Sequence, residues 1–122
     1  MMAESALSSL PETEVDRGTF KYVLMEVLLG SSSRLILRGR TFASYHDDIV
    51  QHTRAALAED ARFSGAAVRC TGGGRIRVSD TPAHALVYGY SVAYGKGDHA
   101  AAAEMLRRAL PRHSVEWSDE GY

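Results

Sequence analysis

The run Phe20–Leu29 is apolar at odd and even positions alike, and it constrains the fold more than any other stretch of the chain. A strand sends successive side chains to opposite faces, so one that is apolar on both must lie in mid-sheet with cover on each side. Lys21 stands out in it. It shares a face with Val23, Met25 and Val27, so its ammonium either snorkels from the strand end or meets an anion.

The rest of the chain supplies the partners and the cover. Gly30–Ser33 reads as a turn, and Arg34–Arg38 as a second strand forming a hairpin with the first. Ser44 can cap a helix, with Asp47 three residues on completing a capping box. That helix carries Ile49, Thr53, Ala56, Leu57 and Asp60 in register and should stop near Gly65. Short strands are predicted over Ala66–Cys70 and Ile76–Val78, separated by a glycine loop, and a third begins at Ala85 and breaks at Gly89. Asp98 caps a second helix with Ala102, Met105, Leu106 and Ala109 on its apolar face, and Ser114–Trp117 is a last strand. The predicted order is ββαβββαβ: an α+β domain with a single mixed six-stranded sheet and one helix on each face. Residues 1–18 read as a flexible leader ending at Asp16-Arg17-Gly18, and residues 19–122 as the domain.

A chain of 122 residues holds one such domain. With 14 basic and 15 acidic side chains, nothing drives the whole surface toward nucleic acid or an anionic membrane. A single cysteine, Cys70, excludes an internal disulfide and offers no pair for zinc or redox chemistry. No stretch reaches the roughly 18 uncharged residues of a membrane span. A cytoplasmic monomer is expected.

Four features carry chemistry. His46 falls in the first turn of the first helix, where unpaired backbone N–H groups favour a neutral imidazole and can hold an anion. Gly72, Gly73 and Gly74 cost backbone entropy, about 0.5–1 kcal/mol each in regular structure. They serve either a wide loop needing positive φ or a backbone that approaches a ligand and delivers Arg75 to it. The loop around Ser91, Val92 and Ala93 can present amides and a hydroxyl. His99, in the first turn of the second helix, competes with His46, whereas His84 and His113 lie in turn-like surroundings and His52 on a solvated helix face.

Phe20-Lys21-Tyr22-Val23-Leu24, Tyr45-His46-Asp47-Asp48-Ile49, the stretch Cys70–Ile76 with its three glycines, Val87–Gly95 and the ending Val115–Tyr122 occur here in one order. Together, over residues 19–122, they resemble the Janus protein family. The resemblance implies a phosphatase that removes phosphate from phosphohistidine-containing proteins or peptides, with no metal or other cofactor. Matched motif by motif, His46 is similar to that family's catalytic histidine, Lys21 and Arg75 to its phosphate-contacting cations, and Ser91 with Ala93 to its amide-bearing loop. Val92, Tyr45, Asp47 and Gly74 stand beside these and complete the expected phosphate site. His46 would act as general base or as transient phosphoryl acceptor, and the residues leave both open. A phosphoprotein-binding module with the same pocket but little turnover is the alternative. The sequence departs from the family in a shorter segment over residues 30–37, in Phe42 where a tryptophan is usual, and in Asp47 where a small residue is familiar.

Overall fold

The computed structural model describes residues 2–120. Its elements are α1 (Met2–Ser9), β1 (Thr13–Val15), β2 (Gly18–Leu29), β3 (Ser32–Arg40), α2 (His46–Ala58), a 3-10 turn (Ala61–Phe63), β4 (Ala67–Asp80), β5 (Ala83–Tyr88), α3 (His99–Ala109) and β6 (Ser114–Trp117). The strands form one six-stranded sheet in the order β1-β3-β2-β4-β5-β6. It is mixed, as expected. β2 runs antiparallel to both β3 and β4, and β5 antiparallel to β4, while β1 joins β3 and β6 joins β5 in parallel.

The doubly apolar run occupies the middle of the sheet. Val23, Met25 and Val27 pack with Ile36 beneath Ile49, Val50 and Leu57 of α2. Tyr22 and Leu24 face the other way, with Ile76 and Val87, beneath Ala102, Ala103, Met105 and Leu106 of α3. Burying each large apolar side chain contributes about 1.5–3 kcal/mol, so these two layers hold the sheet between its helices. The pairing of Leu29 with Ser32 leaves Gly30-Ser31 as a two-residue turn, and Gly30 takes φ of 60° there.

Two sequence expectations need correction. The expected flexible leader contains α1 and β1. Leu7 is 3% exposed within the α2-side core, and β1 pairs along Leu37–Gly39. Neither element is long or periodic enough to announce itself, and both are stabilised by what they pack against. Likewise, Ala66–Cys70 and Ile76–Val78 are not two strands around a loop. β2 is long enough to pair with β4 across the glycines, from Leu28 opposite Ala67 to Gly18 opposite Val78. The glycines lie inside that 14-residue strand, and the ladder shifts register between Leu24 and Met25, a β-bulge that leaves Thr71 without a paired residue. The sixth strand is therefore β1.

Leu7→Ala is expected to destabilise the fold by about 2–4 kcal/mol in urea denaturation, the range for emptying a buried leucine site. A change within about 0.5 kcal/mol, as at ordinary surface positions, would remove α1 from the core.

Candidate active site

The glycines of β4 are explained by what closes on them. Gly73 lies opposite Val23 on the α2 face, and Gly74 opposite Tyr22 on the α3 face. A Cβ on Gly73 would stand 2.5 Å from the Tyr22 carbonyl oxygen and 2.9 Å from Cδ2 of His46. One on Gly74 would stand 2.4 Å from the Tyr88 carbonyl oxygen and 2.8 Å from Cε1 of His99. The segment after β5 reaches the same point: the Gly73 N–H donates to the Gly95 carbonyl (3.0 Å) and the Gly97 N–H to the Gly73 carbonyl (2.8 Å). Close backbone approach, and not a wide loop, is what the three glycines provide.

α2 and α3 each begin with a histidine. α2 starts at His46 with Tyr45 as the flanking residue. The cap is made by Asp48, whose carboxylate accepts from the N–H groups of Ser44 (3.0 Å) and Tyr45 (2.8 Å); Ser44 and Asp47, expected to cap, do not. α3 is capped by Asp98, which accepts from the Ala101 N–H at 3.0 Å.

The two rings have different partners. His46, 5% exposed, is 2.9 Å through Nε2 from the Gly74 carbonyl. A carbonyl only accepts, so Nε2 carries the proton and the neutral ring keeps its lone pair on Nδ1. Nδ1 has no hydrogen-bond partner among the described residues. His99 donates from Nε2 to the Gly89 carbonyl (2.8 Å), and its Nδ1 accepts from the Tyr22 hydroxyl (2.5 Å). Both its nitrogens are engaged, so His99 is a structural ring. Of the two competitors, His46 alone presents a lone pair.

Burial pushes the His46 pKa down; the Gly74 bond works against this, and the charges of Lys21 and Arg75 add to the depression. Those cations sit directly opposite one another on β2 and β4, on the face that carries His46. Lys21 makes no ion pair among the described residues. Arg40 is in register with Lys21 on its other side, but its guanidinium bonds Glu14 at 2.7 Å.

The Ser91 loop borders the same spot, since the Gly73 Cβ position is also 3.4 Å from Cβ of Ser91. Ser91 is 1% exposed. Its N–H donates to the Gly95 carbonyl (3.2 Å), and its hydroxyl accepts from the Tyr94 N–H (3.0 Å). The amides of Val92 and Ala93, on exposed residues, have no acceptor among the described residues. These two, and not Ser91, therefore have N–H groups to offer an anion. Gly74 lends its carbonyl to His46, and a carbonyl oxygen cannot hold phosphate. The Asp47 carboxylate accepts from the Tyr94 hydroxyl and from Gln51. Tyr45 is 73% exposed at the rim. Gly73 is expected only as part of the glycine run, and Tyr94 is not among the expected site residues; its one signal in the sequence is its place beside Ala93. Of the motif Val115–Tyr122, Gly121 and Tyr122 lie outside the described residues.

The chain has counterparts by sequence. The pattern of the Janus/Ocnus family (Ocnus) matches residues 7–114. The 14 kDa phosphohistidine phosphatase of Homo sapiens is 35% identical over 129 residues, covering 99% of this chain and 100% of that protein. That of Sus scrofa is 35% identical over 130 residues, with full coverage of both (100% and 100%). The sex-regulated protein janus-A of Drosophila melanogaster is 35% identical over 123 residues, covering 99% of this chain and 88% of that one.

His46 and His99 are both held below the ordinary histidine value, in each case first by burial. The folded chain therefore resists protons that the unfolded chain accepts below about pH 6.5. Stability is expected to be complete above that pH and to decline as pH falls below it, by urea denaturation at stepped pH. Ring resonances should show His46 titrating below about 6.5 with its proton on Nε2, and Lys21→Met should return the value part of the way. Titration at or above the ordinary value would overturn the assignment.

Proposed function

The chain belongs to the Janus/Ocnus family, and from that premise we propose that it is a protein phosphohistidine phosphatase in which His46 does the chemistry without a metal. The observation that carries this reading is the geometry of His46: its proton is fixed on Nε2 by Gly74, leaving Nδ1 without a partner among the described residues, on the face that carries Lys21 and Arg75. Phosphoryl transfer needs position and charge neutralisation more than covalent effort. Lys21 and Arg75 bring two positive charges to a phosphoryl dianion. The Val92 and Ala93 amides, with the first N–H groups of α2, would hold its equatorial oxygens in the bound phosphoryl group and through the transition state alike.

Two routes use the same lone pair. In one, Nδ1 takes a proton from water as the water oxygen bonds to phosphorus and the P–N bond breaks, its electron pair leaving with the substrate imidazole, which is then protonated. In the other, Nδ1 bonds to phosphorus as the substrate P–N bond breaks, the electron pair leaving with the substrate imidazole, which is then protonated; water later cleaves the P–N bond of phosphorylated His46, giving phosphate and the restored imidazole.

Openness of the site supports a protein substrate. Tyr45 at 73% exposure and Val92 at 85% flank the position of His46, so a phosphorylated side chain on a polypeptide surface can reach Nδ1. Cys70 has no part in the chemistry: burial holds its thiol protonated, and its Sγ–H points to the Gly72 carbonyl. No helix among the described residues is long and apolar enough to cross a membrane, and the reading places the enzyme in the cytoplasm as a monomer.

The test is phosphate release from a phosphohistidine peptide with and without EDTA. Release is expected to survive chelation. His46→Ala should lower it by at least about 10²–10⁴-fold, the usual worth of a positioned base. Arg75→Ala should weaken phosphate binding strongly. Folded His99→Gln and Cys70→Ser proteins should remain active. Loss of activity with EDTA would overturn metal independence, and phosphopeptide binding without release would replace the phosphatase with a binding module.

A further inference from the structure

One side-chain contact ties the two halves of the site together, and the chemistry proposed above does not use it. The Tyr94 hydroxyl donates to Oδ1 of Asp47. Asp47 is the residue after His46, and Tyr94 the residue after Ala93, so the bond joins the neighbour of the base to the neighbour of the amides. Both side chains are half-buried, where a hydrogen bond to a carboxylate is screened less than at the surface.

Asp47 is otherwise hard to account for. A carboxylate beside a phosphate site repels the dianion, and Asp48, not Asp47, caps the helix. The loop's other attachments all lie on the sheet side. Gly95 and Gly97 bond to Gly73, and Ser91 bonds to Gly95 and to the Tyr94 N–H. Among the hydrogen bonds of the described residues, that of the Tyr94 hydroxyl is the one that joins the Ser91–Gly95 loop to α2.

We propose that Asp47 and Tyr94 form a strap that fastens the Ser91–Gly95 loop to the start of α2, fixing the Val92 and Ala93 amides relative to Nδ1 of His46 before any anion arrives. Both are positioning residues, since neither touches the reacting atoms. The bond persists across the neutral range: hydrogen bonding to Asp47 pushes the Tyr94 phenol up to about 12, and the same bond holds the Asp47 carboxyl below its usual value. An amide pair ordered in advance costs nothing to order on binding, and amides that hold phosphate equally in ground and transition states act on KM more than on kcat.

The inference rests on the phosphatase reading for its consequence but not for its test. Its first readout is backbone order at Val92 and Ala93 in the ligand-free protein, by ¹⁵N relaxation. Tyr94→Phe and Asp47→Ala should each loosen these amides, the double variant should be no looser than either single one, and Asp47→Asn, which keeps an acceptor, should retain the wild-type order. The second readout is the Kd for inorganic phosphate, expected to weaken about 3- to 10-fold in Tyr94→Phe, the worth of one hydrogen bond. With a phosphohistidine peptide, KM should rise by a similar factor while kcat stays within about twofold. Amides equally ordered in Tyr94→Phe and wild type would overturn the strap, whatever the activity. A wild-type protein that orders its loop and binds phosphate but releases none from the peptide would overturn the phosphatase and leave the strap standing.

Discussion

Two histidine rings close on adjacent residues of one strand from opposite faces of the sheet, and this is possible only because those residues are Gly73 and Gly74. Each missing Cβ leaves room that a ring and a carbonyl oxygen occupy at less than 3 Å from where it would stand. The consequence extends to both helices. α2 and α3 each begin at a histidine hydrogen-bonded to backbone, Gly74 in one case and Gly89 in the other, so the glycine run sets where both helices start. A sheet with side chains at 73 and 74 would have to hold its helices farther away, and the positive ends of their dipoles would no longer converge on this strand.

From that near-symmetrical beginning the two histidines diverge, and the parity of β2 decides how. Tyr22 points to the α3 face and donates to His99, closing its second nitrogen. Lys21, one residue earlier, points to the α2 face with Arg75 opposite and brings charge to His46 in place of a hydroxyl. A slip of one residue in the β2–β4 register would exchange these assignments. The buried Val23, Met25 and Val27 on one face and the buried Tyr22 and Leu24 on the other prevent such a slip. The core of the domain thus selects which imidazole keeps a lone pair.

Much of this was legible in the residues. The two-sided run Phe20–Leu29 requires cover on both faces, and the apolar stripes of the two helices supply it. Lys21, His46 and Arg75 each stood out for a local reason: a charge on an apolar face, a ring in a first helical turn, a cation after glycines. What stayed hidden depends on partners distant in sequence. α1 and β1 exist because Leu7 finds the α2-side core and Leu37–Gly39 offers an edge. The glycines read as a loop because strand propensity disfavours them, and only the length of β2 makes β4 continuous. His46 and His99 are equivalent in sequence, and only the Tyr22 contact separates them. Asp48 caps α2 in place of Ser44 because the helix starts later than the polar residues suggest. Tyr94 carries no signal until Asp47 is seen beneath it.

The N-terminal segment also shapes the electrostatics of the site. Arg40, Lys21 and Arg75 form one cross-strand row. β1 brings Glu14 against this row. Its carboxylate meets Arg40 at 2.7 Å and Arg38 at 3.3 Å. Burial raises the Glu14 pKa, but the Arg40 hydrogen bond and both guanidinium charges outweigh it, so the carboxylate stays ionised. Arg40 is thereby held by Glu14, and Lys21 and Arg75 are the charges that bear on His46. The short strand that the sequence conceals is thus what engages Arg40 at the end of the row.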